Sequence, residues 1–399
     1  MRFEKPNLFL YRIAQLACGV VGRFGFRPRI LRNEIKGKKG PFVVIANHQS
    51  SLDFTSLINA THRPMTFVIS HAFYNTLPVK GIMRRLGVIP KQQFQTNLQD
   101  IHRMRAVLEN DGILVIYPAG LMCEDGLSTP LPAATYKFLK WMKADVYVAR
   151  TSGTYFARPK WSKGFRPGRT FLDIYRLFTK EELAEAEDCA VRKKTDEALL
   201  FDAYREQEEL RIKYKKGSCV EGLENVLYRC PHCGAEFQME AKDNRLSCTA
   251  CGFAEEADEY GFLHKCSDVG EEIRYVSDWS RRIYERAHAS LAADGAFSLS
   301  TDAKIRMIDY KKHKFVEVGA ACVTLTHEGF HLTGNLRGED VELRIPTTCF
   351  ASLPFSPGKH FDIQHGEDIF RCYPEDGRRA IAFVHAVKAL YEIRECPVC

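Results

Sequence analysis

The chain has 399 residues, 45% of them hydrophobic and 27% charged, which excludes a disordered or fibrous protein and argues for two or three domains. Its formal net charge of +7 points to an anionic partner. The 14 cysteines, with no secretory leader expected before them, favour reduced thiols and metal ligation over disulfides in a cytoplasmic setting.

Residues 8–22 are mostly apolar, but Arg12 and Gln15 interrupt them, and the charge-free run 13–22 is far shorter than the roughly 20 residues of a spanning helix. Arg23, Arg27, Arg29, Arg32, Lys36, Lys38 and Lys39 follow, against a single Glu34. Two readings fit. One is a helix lying in the interface of an anionic leaflet, with basic residues on the headgroups. The other is a first helix packed on the domain, with a solvated basic linker behind it.

The first strong strand signal is Phe42-Val43-Val44-Ile45-Ala46, five apolar residues that read as a strand buried on both faces. Asn47 ends it, and Ser50 or Ser51 offers a cap to a helix starting near Leu52. His48 then stands at the carboxyl end of a strand, where open α/β sheets bind ligands, and Asp53 can fold back to accept a hydrogen bond from one imidazole nitrogen. The other nitrogen is left to take a proton from a hydroxyl, as a general base does. Against this, a lone histidine after a strand is more often a capping or packing residue. Downstream, strands are expected at residues 65–69, 88–89, 113–117 and 146–149, and helices at 79–86, 97–109 and 133–143. Such alternation builds a mainly parallel sheet with helices on both sides.

The block Asn47-His48-x-x-x-x-Asp53 resembles the first motif of the PlsC-like glycerophospholipid acyltransferases, and the resemblance extends over roughly residues 40–180. It implies transfer of an acyl group from a thioester, acyl-CoA or an acyl-carrier-protein donor, to the hydroxyl of a lysophospholipid acceptor. The simplest such reaction turns 1-acyl-sn-glycerol 3-phosphate into phosphatidate, with His48 and Asp53 as the catalytic pair. Tyr117-Pro118-Ala119-Gly120-Leu121 resembles the family's Phe-Pro-Glu-Gly block, with Ala119 at the glutamate position and Glu124 and Asp125 as the nearby carboxylates. The resemblance makes Tyr117, Pro118, Gly120 and Leu121 substrate-binding candidates. Gly87-Val88-Ile89-Pro90-Lys91-Gln92-Gln93 resembles a third block whose arginine falls on Gln93, which leaves Arg85 and Lys91 as candidates for phosphate binding. No Gly-x-Ser-x-Gly elbow is present, so no acyl-enzyme is expected. Residues 158–169 mix five cations with two aromatics in a Pro/Gly-rich loop that suits lipid headgroups or, as a less expected partner, nucleic acid.

Beyond residue 180 the sequence is rich in Glu, Lys, Ala and Leu and reads as one or two solvated helices leading away from the sheet. Cys230-x-x-Cys233 and Cys248-x-x-Cys251 follow, separated by fourteen residues. Four thiolates so spaced close a tetrahedral site with no place for water, hence a structural zinc ribbon, with iron as the alternative metal. Cys396-x-x-Cys399 repeats the spacing without further partners and reads as a frayed tail. Residues 273–291 read as a helix. Then a period of two sets in, with a hairpin at 323–326 and 330–332 around His327-Glu328-Gly329, strands at 341–345, 361–363 and 369–372, and an apolar helix at 379–393. This carboxyl-terminal pattern resembles a pleckstrin-homology-like domain.

The expected architecture is therefore α/β. An amino-terminal helix and basic linker (1–39) precede a mainly parallel-sheet acyltransferase domain (40–180), a helical linker (181–223), a zinc ribbon (224–266) and a helix with a small antiparallel β domain closed by a carboxyl-terminal helix (267–399). Such a protein is expected in the cytoplasm, peripherally on the inner face of the cell membrane. Two rival classes stay open: a hydrolase in which His48 activates water, and a lipid- or nucleic-acid-binding protein with a degenerate acyltransferase domain.

Overall fold

The computed structural model describes residues 5–94, 97–214, 217–348 and 350–395. The Cys396/Cys399 pair lies outside them. The chain divides into two compact units, Met1–Pro159 with Phe165–Lys216, and Lys160–Gly164 with Gly217–Cys399.

The first unit is built on a seven-stranded sheet of β1 (Pro28–Asn33), β2 (Phe42–Ala46), β3 (Met65–Ser70), β4 (Ile89–Lys91), β5 (Ile113–Ile116), β6 (Asp145–Ser152) and β7 (Thr170–Phe178), in the order β1-β7-β6-β2-β5-β3-β4. All neighbours are parallel except β6 and β7. Every residue of β2 and β5 is buried. Alternate side chains feed two cores: Val43, Ile45, Leu114, Ile116, Val146 and Val148 on one face, Phe42, Val44, Ala46, Ile113, Val115 and Tyr147 on the other. Full burial of a Val or Ile side chain contributes about 1.5–3 kcal/mol, so a charge at Val44 would open both the strand and its neighbours.

The expected helices at 79–86, 97–109 and 133–143 form as Lys80–Arg85, Leu98–Glu109 and Ala134–Met142. Asn97 caps the second of these through its side-chain oxygen on the Gln99 amide, at 2.9 Å. Two strands of this first sheet were not anticipated. β1 lies where a basic linker was expected. It is an edge strand beginning at proline with its side chains exposed, so no burial pattern marks it in the sequence. Arg32 ties it to β7 by a bidentate pair with Asp173 at 2.8 and 2.9 Å. β7 runs antiparallel to β6 and buries Thr170, Leu172 and Ile174 on alternate positions.

The helices after β7 also depart from expectation. Lys180–Glu185, Asp188–Leu199 and Ala203–Leu210 do not lead away as solvated segments. Leu183, Val191, Ala198 and Leu199 lie in the core with Val146 and Phe178. The stripe is narrow and diluted by charge, which hid it, yet its spacing keeps it on one face. Thr179 and Glu182 form a reciprocal capping box at the start of the first of these helices.

At the amino terminus, the helix Leu8–Val21 docks by one face only. Gln15 donates to the carbonyls of Ile58 and Thr61 at 2.8 and 2.9 Å, and the Tyr11 hydroxyl accepts from the Met65 amide at 3.0 Å. Leu8, Phe9, Ile13, Leu16 and Val20 are exposed. Among the described residues, no helix is long and apolar enough to cross a membrane.

The second unit contains an antiparallel ribbon of β8 (Met239–Lys242), β9 (Arg245–Cys248), β10 (Ala254–Ala257) and β11 (Leu263–Lys265). The helix Val276–Ala293 follows and buries Trp279 and Ile283 one turn apart, with the Trp279 ring nitrogen donating to the Arg229 carbonyl at 2.9 Å. The remainder is an antiparallel sheet of β12 (Ser298–Asp309), β13 (Lys314–Thr326), β14 (Gly329–Leu336), β15 (Glu339–Pro346), β16 (Phe355–Ser356), β17 (His360–His365) and β18 (Asp368–Pro374), ordered β15-β14-β13-β12-β18-β17-β16. The helix Ala380–Glu395 ends the chain, and its Phe383 stacks on Phe361 at 4.6 Å. An antiparallel sheet closed by an apolar terminal helix is the architecture read from the sequence. β12 escaped notice because Ser, Thr and Asp dilute its alternation. Gly329 is required at its hairpin: its φ is +142°, and a Cβ there would stand 2.4 Å from the Ile345 carbonyl oxygen.

Candidate active site and metal centre

The candidate site is built where β2 ends. Asn47 fastens that end to β6, donating to the Thr151 carbonyl and accepting from the Thr151 amide, both at 2.8 Å. His48 follows, and its Nδ1 is 2.9 Å from Oδ2 of Asp53. The same oxygen accepts from the amides of Gln49 and Ser50 at 2.8 and 2.9 Å. The expected helix at Leu52 starts instead at Phe54, and neither serine caps it; Asp53 occupies the cap position but turns its carboxylate back to His48 and the two amides. An Asp carboxylate accepts from Nδ1, so the proton sits on Nδ1 and Nε2 carries the lone pair.

The environment divides the pair. The Asp53 side chain is 0% exposed and that of His48 22%. A dry carboxylate thus holds a ring that solvent, or an acceptor hydroxyl, can reach. Charge-assisted hydrogen bonds of this kind are stronger in a low-dielectric setting.

The Tyr117 loop closes one side. The Tyr117 ring packs on the imidazole with centroids 4.4 Å apart. Gly120 turns the chain with φ +70°, its amide donating to the Tyr117 carbonyl at 2.9 Å. Pro118 is half-buried and Leu121 buried, as is Ala119. The Cys123 amide then donates to the His48 carbonyl at 3.0 Å, so the loop is fastened to the backbone of His48 itself. Glu124 and Asp125 are both buried just beyond.

Parallel register brings further residues to the same ends of the strands. Ser70, last in β3, faces Lys91, last in β4. The half-buried Lys91 amine donates to the Gln92 carbonyl at 2.9 Å, and burial lowers its pKa, with Asp100 opposing. Arg85 is exposed at the end of its helix, and among the described residues no hydrogen bond or ion pair joins its guanidinium to the His48 cluster. In the basic loop, Trp161 and Arg166 are buried rather than displayed to a ligand.

Two site residues escaped sequence reasoning. Gln93, at the family's arginine position, accepts from the Ser70 hydroxyl at 3.1 Å and donates to the Gly120 carbonyl, stapling β3 to the Tyr117 loop. Gln49 is fully buried; its side-chain oxygen accepts from the Thr154 hydroxyl and the Tyr155 amide at 3.2 and 3.3 Å, and its nitrogen reaches Glu206 at 3.5 Å. Glu206 in turn pairs with Arg150 at 2.6 Å. A glutamine is a silent letter in a motif, and only its bracing position gives it meaning.

In the second unit, the sulfurs of Cys230, Cys233, Cys248 and Cys251 lie within 4.8 Å of one another. Backbone amides serve them: that of Ala235 draws the Cys233 thiol down to about 7, and that of Phe253 acts the same way on Cys251, where burial outweighs it. Each knuckle turns on a glycine with positive φ, Gly234 at +76° and Gly252 at +78°. Four convergent sulfurs with amide support fit a tetrahedral metal ion.

Residues 28–157 match the family model described as Acyltransferase. Among solved structures, the chain is similar to the crystal structure of the 1-acyl-sn-glycerophosphate (LPA) acyltransferase PlsC from Thermotoga maritima. The identity is 19% and the TM-score 0.41, over 51% of this chain and 78% of that one. A comparison with curated proteins returned no match. The family match spans β1 to the segment after β6 and contains the His48–Asp53 pair and the Tyr117 loop, so it is this part of the first unit that is similar to the Acyltransferase family.

Proposed function

We propose that this protein transfers a fatty acyl group from a thioester, acyl-CoA or acyl carrier protein, to the free hydroxyl of a lysophospholipid, in the simplest case 1-acyl-sn-glycerol 3-phosphate giving phosphatidate. The observation that supports this most is the 2.9 Å bond from His48 Nδ1 to a dry Asp53, which leaves Nε2 as the open base at the mouth of the parallel sheet. The acceptor hydroxyl gives its proton to Nε2 as its oxygen attacks the thioester carbonyl. Asp53 orients the ring and stabilises the imidazolium. The tetrahedral intermediate collapses by breaking the C–S bond, and the imidazolium returns the proton to the leaving thiolate. Base assistance of this kind is worth about 10²–10⁴ in rate.

Membrane docking belongs to the same reading. Leu8, Phe9, Leu16 and Phe24 are exposed beside the exposed cations Arg12, Arg23, Arg27 and Arg29, which suits the interface of an anionic leaflet. Cys230, Cys233, Cys248 and Cys251 would hold a structural zinc ion that stabilises the ribbon without entering the reaction.

The test is a product assay. The purified chain is given an acyl thioester with and without a panel of lysophospholipids on anionic vesicles. Diacyl product that appears only with acceptor supports the transferase; free fatty acid released at the same rate without acceptor identifies a hydrolase instead.

A further inference from the structure

Two buried polar atoms beside the base lack partners. Oδ2 of Asp53 accepts three hydrogen bonds, yet Oδ1 accepts none, and the buried hydroxyl of Tyr117 has no partner among the described residues. One group can only accept and the other can donate. Buried polar groups in folded proteins are nearly always paired, by protein or by ordered water, so each of these two calls for a partner. Both flank the same imidazole. Asp53 is bonded to its Nδ1 at 2.9 Å, and the Tyr117 ring lies on its face, centroids 4.4 Å apart and planes inclined by 33°. Burial first, and the Asp53 charge second, hold the Tyr117 hydroxyl well above its ordinary range, so it remains a donor at working pH.

We propose that Tyr117 is a positioning residue whose hydroxyl donates to Oδ1 of Asp53 through one bridging water, so that both carboxylate oxygens are held while Asp53 orients His48. Donation spreads the carboxylate charge and weakens its pull on the imidazolium. Removing that donor would strengthen the pull and favour the imidazolium. The other ionisable groups at this cluster come from the loop after β5 and do not replace the donor. The Cys123 thiol, pushed well up by burial, points at the Gln49 carbonyl at 3.8 Å, while Glu124 and Asp125 bring further carboxyls. The kinetic part of this inference rests on the acyltransferase reading; the structural part does not.

Tyr117→Phe keeps the ring and removes the donor. In the full chain, the acid limb of the kcat/KM profile should move upward by about half a pH unit or more. The His48 imidazole titration, followed by NMR without substrate, should move the same way, and this arm still decides the matter if no panel lipid turns over. In the unsubstituted protein a slowly exchanging Tyr117 hydroxyl proton is expected, which needs no variant to fold. Unmoved midpoints overturn the proposal, including the case where the rate falls equally at all pH values, because the hydroxyl would then serve the substrate. A rapidly exchanging hydroxyl proton overturns it as well.

Discussion

Asn47 and Thr151 are joined by two reciprocal hydrogen bonds of 2.8 Å that lock the carboxyl ends of β2 and β6 together, one residue before His48. The bonds are buried, so removing the side chain strands both a donor and an acceptor. Asn47→Ala should cost about 2–6 kcal/mol in urea melts, at about 1–3 kcal/mol for each orphaned group. It should also depress kcat more than KM, since it loosens the backbone that carries His48.

Gln93 gives a different signature. It is half-buried and joins Ser70 to the Gly120 carbonyl, so Gln93→Ala frees the Tyr117 loop without opening the core. Stability should change by less than about 1 kcal/mol. The KM for the acceptor should rise several-fold in steady-state assays; an unchanged KM would show the loop to be held without it.

The cysteine cluster predicts one zinc ion per chain by elemental analysis, removed by strong chelators. Cys248→Ser should lose it, together with the cooperative thermal transition of the second unit, because a metal bound there would supply folding free energy. Activity of the first unit need not fall in parallel.

Glu255 carries a pH-dependent stability. Burial raises its pKa from 4.5 to about 7, while the Ile273 amide, bonded to it, opposes the rise. Between those values the folded protein keeps a proton that the unfolded chain has lost. Stability therefore falls as pH rises from 4.5 through 7 and stays low above. Glu255→Gln should remove that slope, so its stability gain over the parent grows from pH 5 to pH 8 in paired denaturant titrations. Pairing the measurements cancels the opposite pH dependence of metal binding.

Much of this was legible in the sequence for physical reasons. β2 and β5 announce themselves because a strand buried on both faces must be continuously apolar, and Asn97 marks its helix because a cap needs that side chain. The cysteine knuckles are readable because a metal fixes its ligands' spacing. β1, β7 and β12 were missed where exposure or interleaved polar residues blur the period of two. The helices after β7 were misjudged because their buried stripe is narrow. Gln49 was invisible, and Gln93 was read only as the place of a missing arginine: a neutral brace is defined by what it reaches across space, here Thr154, Glu206, Ser70 and Gly120.

The central claim is that one imidazole, held by Asp53, performs the proton transfer. The most direct measurement is kcat for acyl transfer by the full chain against its folded His48→Ala variant, at neutral pH with the same thioester and lysophospholipid. The account predicts a loss of about 10²–10⁴ with an unchanged thermal midpoint. Equal turnover by the two proteins would contradict it.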